Sequence, residues 1–174
     1  MKKLAMVTLA IALLFAVAVA GDMTPEQAMQ KMMSCEACKP MSEYPQLGPN
    51  IRFDIAQTDN GFVSTFMLAD EKLMPAFHEC EKKCEETRKA AMSYTDAEAE
   101  TKLCPFCQGM RSVMARQDVK VNHFPAALGQ ICVATSTTAE GTKALHDYAT
   151  NAKETSDLLT EATMKMMQEG ATKN

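Results

Sequence analysis

The pattern Cys-x-x-Cys-x-x-Met occurs twice, as Cys35-Glu-Ala-Cys38-Lys-Pro-Met41 and as Cys104-Pro-Phe-Cys107-Gln-Gly-Met110, at an offset of 69 residues. All three sulfurs match in each copy. Downstream the correspondence continues at an offset of 68, pairing Ile51 with Val119, Phe53 with Val121, Gly61 with Gly129, Val63 with Ile131, and Phe77-His78 with Leu145-His146. One deleted residue accounts for the change. A chain that repeats sulfur, glycine, apolar and histidine positions in one order reads as two copies of one structural unit. The expected division is residues 21–92 and 93–174, the second unit carrying a long C-terminal helix.

Each unit has the same punctuation. Thr24-Pro25 is a helix start, with Thr24 as N-cap and Pro25 in the first turn, and Thr95-Asp96 plays that part before the second Cys pair. After Pro45 and Pro49, Ile51, Phe53 and Ile55 alternate with Arg52, Asp54 and Ala56 as a half-buried strand. Asp59-Asn60-Gly61 is a hairpin turn, and Phe62 to Leu68 returns. Asp70 then starts a helix whose apolar face is Leu73, Phe77, Cys80 and Cys84. The second unit repeats this as strands over Val119–Phe124 and Ile131–Ser136. A helix follows from Ala139 to about Gln168, with inward face Leu145, Tyr148 and Ala152 and Gly170 as its stop. A lone hairpin is not stable, so two of them predict an α+β fold: one four-stranded antiparallel sheet layered with helices, in one compact domain.

Lys2 and Lys3 precede an uncharged run from Leu4 to Ala20, and Ala18-Val19-Ala20 before Gly21-Asp22 has the small-x-small form of a cleavage site. Residues 1–20 therefore read as a signal peptide, and the protein as exported, periplasmic or secreted, with no stable membrane span once that segment is removed. The alternative is a retained anchor. The 174 residues hold 22 acidic against 18 basic side chains, which argues against nucleic acid as a partner. All seven Cys lie beyond residue 20, where an oxidising compartment would turn spaced pairs into disulfides unless a metal held them as thiolates.

Two thiols three residues apart chelate one soft ion, and a helix start stabilises thiolate. In the first unit Cys80 and Cys84 offer a second pair on one helix face, so Cys35, Cys38, Cys80 and Cys84 could close a tetrahedral zinc site, with His78 at its edge and Met41 as the third sulfur of the repeat. The second unit has Tyr148 and Ala152 at the positions of Cys80 and Cys84. Its donors are Cys104, Cys107, Met110 and His146, a mixed set suited to Cu(I). Methionines grouped at Met29, Met32, Met33 and at Met164, Met166, Met167 could extend a copper surface or form a groove for a partner protein. Cys132 reads as a buried free thiol and His123 as a core histidine.

The staple alternative joins Cys35 and Cys38 to Cys84 and Cys80, and Cys104 to Cys107. Cys104-Pro-Phe-Cys107 also resembles the redox motif of thioredoxin-like oxidoreductases, which would imply disulfide exchange. That motif follows a buried apolar strand, whereas Ala97 to Lys102 is polar and helix-prone. Met33-Ser-Cys35-Glu-Ala-Cys38 resembles the Met-x-Cys-x-x-Cys loop of heavy-metal-associated domains, ferredoxin-like α+β modules that carry Cu(I) between partners. That resemblance implies Cys35 and Cys38 as ligands and, through the internal match, Cys104 and Cys107. The reading that follows is a small exported protein that binds a thiophilic ion, Cu(I) or Zn(II), for storage, sensing or delivery, rather than a catalyst. A disulfide-stapled module and a thiol-disulfide oxidoreductase are the alternatives.

Overall fold

A computed structural model describes residues 23–171. The expected signal segment, residues 1–20, lies outside them. Among the described residues no helix is long and apolar enough to cross a membrane.

Helix α1 spans Pro25–Ser34 and begins with a capping box: Gln27 N–H donates to Thr24 Oγ1, and Thr24 N–H donates to Gln27 Oε1. Two short 3-10 turns, Lys39–Glu43 and Gly48–Asn50, lead into strands β1 (Ile51–Thr58) and β2 (Gly61–Leu68). Asp70 caps a further 3-10 turn that runs into α2, Met74–Ala91. In the second half the stretch before the strands is split. Helix α3 (Asp96–Lys102), with its own Thr95–Glu98 capping box, stops at Leu103, and α4 (Pro105–Met114) starts afresh with Cys104 as N-cap and Pro105 in its first turn. Strands β3 (Val119–Ala126) and β4 (Gly129–Ser136) and helix α5 (Ala139–Ala171) complete the chain. Helix α5 runs through Gly170 rather than stopping there; one glycine costs a helix only about 1 kcal/mol.

The fold is α+β, with a single antiparallel sheet of order β1-β2-β4-β3. Its centre is the β2–β4 pair, in which Gly61 opposes Thr135, Met67 opposes Gly129, and Ser64 opposes Cys132. That register maps onto itself when 68 is added to one strand and subtracted from the other, so Ser64 and Cys132, equivalent under the offset, face each other on a local pseudo-twofold axis. The glycines obey the same symmetry. A Cβ on Gly61 would lie 1.9 Å from the Ala134 carbonyl oxygen, and one on Gly129 would lie 1.9 Å from that of Phe66.

One sheet face packs against the helices. Phe62, Ala134, Cys132 and Ile55 meet Val113 of α4 and Leu145, Tyr148, Ala149 and Ala152 of α5. The rings of Phe62 and Tyr148 lie 5.3 Å apart, and those of Tyr148 and Phe106 5.8 Å. Phe62 and Leu145 are essentially inaccessible, each such burial stabilising by about 1.5–3 kcal/mol. The expected inward face of α5 is therefore the face observed. His123 departs from expectation. It shares a cross-strand row with buried Ile55, Ser64 and Cys132, yet it is exposed on the edge strand β3, with Nδ1 3.2 Å from Gln130 Oε1.

Candidate metal centre

The two Cys-x-x-Cys loops meet. The sulfurs of Cys35, Cys38, Cys104 and Cys107 all lie within 4.8 Å of one another. Cys38 Sγ stands 3.3 Å from Cys107 Sγ and 3.9 Å from Cys104 Sγ. A tetrahedral ion with Zn–S bonds of about 2.3 Å needs sulfurs about 3.8 Å apart, so small rotations of these side chains would meet it. These four residues could hold one metal ion.

Each half supplies its pair from a chain reversal. Cys35 caps the C-terminus of α1, and the turn closes as the amides of Cys38 and Lys39 donate to the Cys35 carbonyl at 3.1 and 2.8 Å. Cys104 caps the N-terminus of α4 and Cys107 lies in its first turn, where the helix dipole favours thiolate. The loops are joined by a backbone hydrogen bond from Glu36 N–H to the Lys102 carbonyl, 3.0 Å. Its symmetry mate would need an N–H at position 105, which Pro105 lacks.

Side chains brace this junction. The Tyr94 hydroxyl donates to Glu36, Lys102 lies over the Tyr94 ring at 4.5 Å, and Gln108 Nε2 donates to the Leu103 carbonyl at 2.7 Å. Arg111 ties the start of α3 to α4, donating to the Tyr94 carbonyl and to Asp96. Cys35 and Cys104 are buried with Ala37, Ala91, Ala99 and Leu103, while Cys38 and Cys107 are partly exposed.

The four thiols divide electrostatically. Hydrogen bonding from Cys104, supported by Cys107 and Cys38, holds Cys35 far below the ordinary thiol range, and hydrogen bonding from Cys107 lowers Cys104. Hydrogen bonding with Cys104 holds Cys38 and Cys107 well above that range. Four thiolates this close need a cation.

The expected grouping of Cys35 and Cys38 with Cys80 and Cys84 is not what the geometry shows. The partners of the first Cys pair come from the other unit, because the pseudo-twofold brings the equivalent loops together at one end of the helix layer. Cys80 and Cys84 pair with each other, 3.9 Å apart on α2. The staple pairing fails for the same reason, since Cys38 has Cys107 and Cys104 as its sulfur neighbours. All seven cysteines are free thiols.

The other predicted donors lie elsewhere. His78 is exposed beside Glu81 at 3.7 Å, and His146 Nε2 donates to the Thr58 carbonyl at 2.8 Å. Met110 packs on the core around Tyr148, and Met41 on the cluster around Leu47, Phe77 and Cys80. Cys132 is buried, as expected, opposite Ser64.

Cys38 and Cys104 also form part of the wall of a cavity of about 530 Å3 between α1, α5 and the β1 edge of the sheet. Met29 and Met32 of α1 and Met164 and Met167 of α5 line it, so four of the six grouped methionines face one space next to the cysteines. Met33 and Met166 are exposed.

No protein-family model matches the chain, and neither a curated protein nor a solved structure matches it.

Proposed function

We propose that the protein holds one Zn(II) ion in a four-thiolate centre that ties its two halves together. The observation that carries this reading is the convergence of both Cys-x-x-Cys loops, 69 residues apart, into a single four-sulfur set. A closed all-sulfur shell is the arrangement of ions that contribute directly to folding, because the site does not exist in the unfolded chain. The packing of one unit on the other then depends on metal supply, which suits a sensing or storage role. Export through residues 1–20 would place that role in the periplasm or outside the cell.

The test is native mass spectrometry and elemental analysis of the full-length gene product recovered from the compartment it reaches. One zinc per chain, removed by a strong chelator with loss of tertiary structure, is the expected result. Recovery with disulfides at these four positions and no metal would overturn the reading. It would favour thiol-disulfide exchange instead, for which the partly exposed Cys38 and Cys107 lie with their sulfurs 3.3 Å apart.

A further inference from the structure

Away from the four-sulfur centre, Cys80 and Cys84 lie one turn apart on α2 with their sulfurs 3.9 Å from each other. Cys80 is buried and Cys84 partly exposed, so one sulfur is anchored in the core and the other can be reached from solvent. The surrounding cluster of Leu47, Leu68 and Phe77 also contains the thioethers of Met41 and Met74.

Buried cysteines are often small apolar filling, yet the fold does not need sulfur here. At the equivalent positions of the second unit, Tyr148 and Ala152 close the core with 5% and 1% exposure. The donor set is also selective. Among the described residues no third Cys, His, Asp or Glu joins this pair, so it cannot complete a zinc shell from those residue types. What it offers is two thiols in an apolar cluster against which Met41 and Met74 pack, and thiols and thioethers are the soft donors that select Cu(I).

We propose that Cys80 and Cys84, with the Met41 thioether as third donor, form a second site that takes Cu(I). The ion arrives already in the monovalent state and leaves its carrier's ligands, two thiolate–Cu bonds and one thioether–Cu bond form, and the two thiol protons leave to solvent with no change of oxidation state. Burial pushes the Cys80 thiol up to about 12 and raises Cys84. The site does not depend on the four-thiolate centre.

The experiment titrates zinc-loaded full-length protein, under anaerobic conditions, with Cu(I) delivered from a coloured Cu(I) chelator, while zinc release is followed separately. One Cu(I) per chain bound with zinc retained is expected. The double variant Cys80→Ser, Cys84→Ser should lose that equivalent and keep its zinc, and Met41→Leu should weaken Cu(I) binding only. Uptake unchanged in the double variant, or Cu(I) entering only by expelling zinc, would overturn the proposal. If the double variant does not fold, the wild-type protein decides by alkylation mapped with peptide mass spectrometry. Protection of Cys80 and Cys84 by Cu(I) supports the site, and equal labelling with and without Cu(I) overturns it. Zinc content measured before copper is added keeps a failure of the zinc centre distinct from a failure of this one.

Discussion

Cys38 Sγ lies 3.3 Å from Cys107 Sγ, and the two residues hold the same position in the two copies of the Cys-x-x-Cys-x-x-Met pattern. This contact between equivalents is the consequence at the surface of the β2–β4 register below it, where Ser64 likewise meets its counterpart Cys132. An ion placed among the four sulfurs would bond to both halves at once.

Stability should therefore be linked to zinc. At free zinc about 1,000 times its Kd, binding to the folded state alone adds about 4 kcal/mol. Urea unfolding with and without zinc should differ by about that amount in the wild-type protein. The difference should largely disappear when any one of Cys35, Cys38, Cys104 or Cys107 is changed to Ser.

Zinc uptake should release protons. The thiols of Cys38 and Cys107, held above the ordinary range by hydrogen bonding with Cys104, must lose their protons when four thiolates surround the ion. Titration calorimetry in buffers of different ionisation enthalpy should report net proton release on zinc binding at neutral pH. Affinity should fall as the pH is lowered.

Gly61 and Gly129 should respond alike to substitution. Each would place a Cβ 1.9 Å from a carbonyl oxygen of the opposing strand, at symmetry-related points of the β2–β4 seam. Gly61→Ala and Gly129→Ala should each destabilise by at least about 2 kcal/mol, because only movement of backbone can relieve the contact. Chemical denaturation measures both. A harmless alanine at either position would contradict the register.

Acid should expose a separate linkage at the start of α5. Hydrogen bonding from Arg116 first, then from Thr138, lowers the Asp118 carboxyl from 3.8 to about 2. Thr138 in turn accepts from the Gly141 amide at 3.0 Å. A carboxyl lowered on folding contributes stability above its unfolded pKa, and the contribution is lost as the pH falls through the folded value. Asp118→Asn should therefore be less stable than wild type at pH 6, and the gap should close between about pH 4 and pH 2.

Local structure was largely legible in the residues themselves. The alternation of Ile51, Phe53 and Ile55, the Asp59-Asn60-Gly61 turn and the Thr24-Pro25 start all correspond to elements at those places, because each depends on neighbours in sequence. The partner of each Cys pair was not, because it depends on which loops the sheet brings together. Nearness in sequence favoured Cys80 and Cys84, whereas the symmetric β2–β4 register placed the two like loops side by side. Alternation along β3 gives the sheet face of His123 but not where the helix layer ends, so its exposure is not legible in the sequence.

The assignment of ligands to zinc tests the central claim most directly. X-ray absorption on the zinc-loaded protein, repeated on the double variants Cys104→Ser, Cys107→Ser and Cys80→Ser, Cys84→Ser, should show four sulfurs at about 2.3 Å in the wild type. The Cys80, Cys84 variant should keep that shell, and the Cys104, Cys107 variant should lose it. Zinc with four sulfurs surviving in the Cys104, Cys107 variant and lost in the Cys80, Cys84 variant would contradict the account.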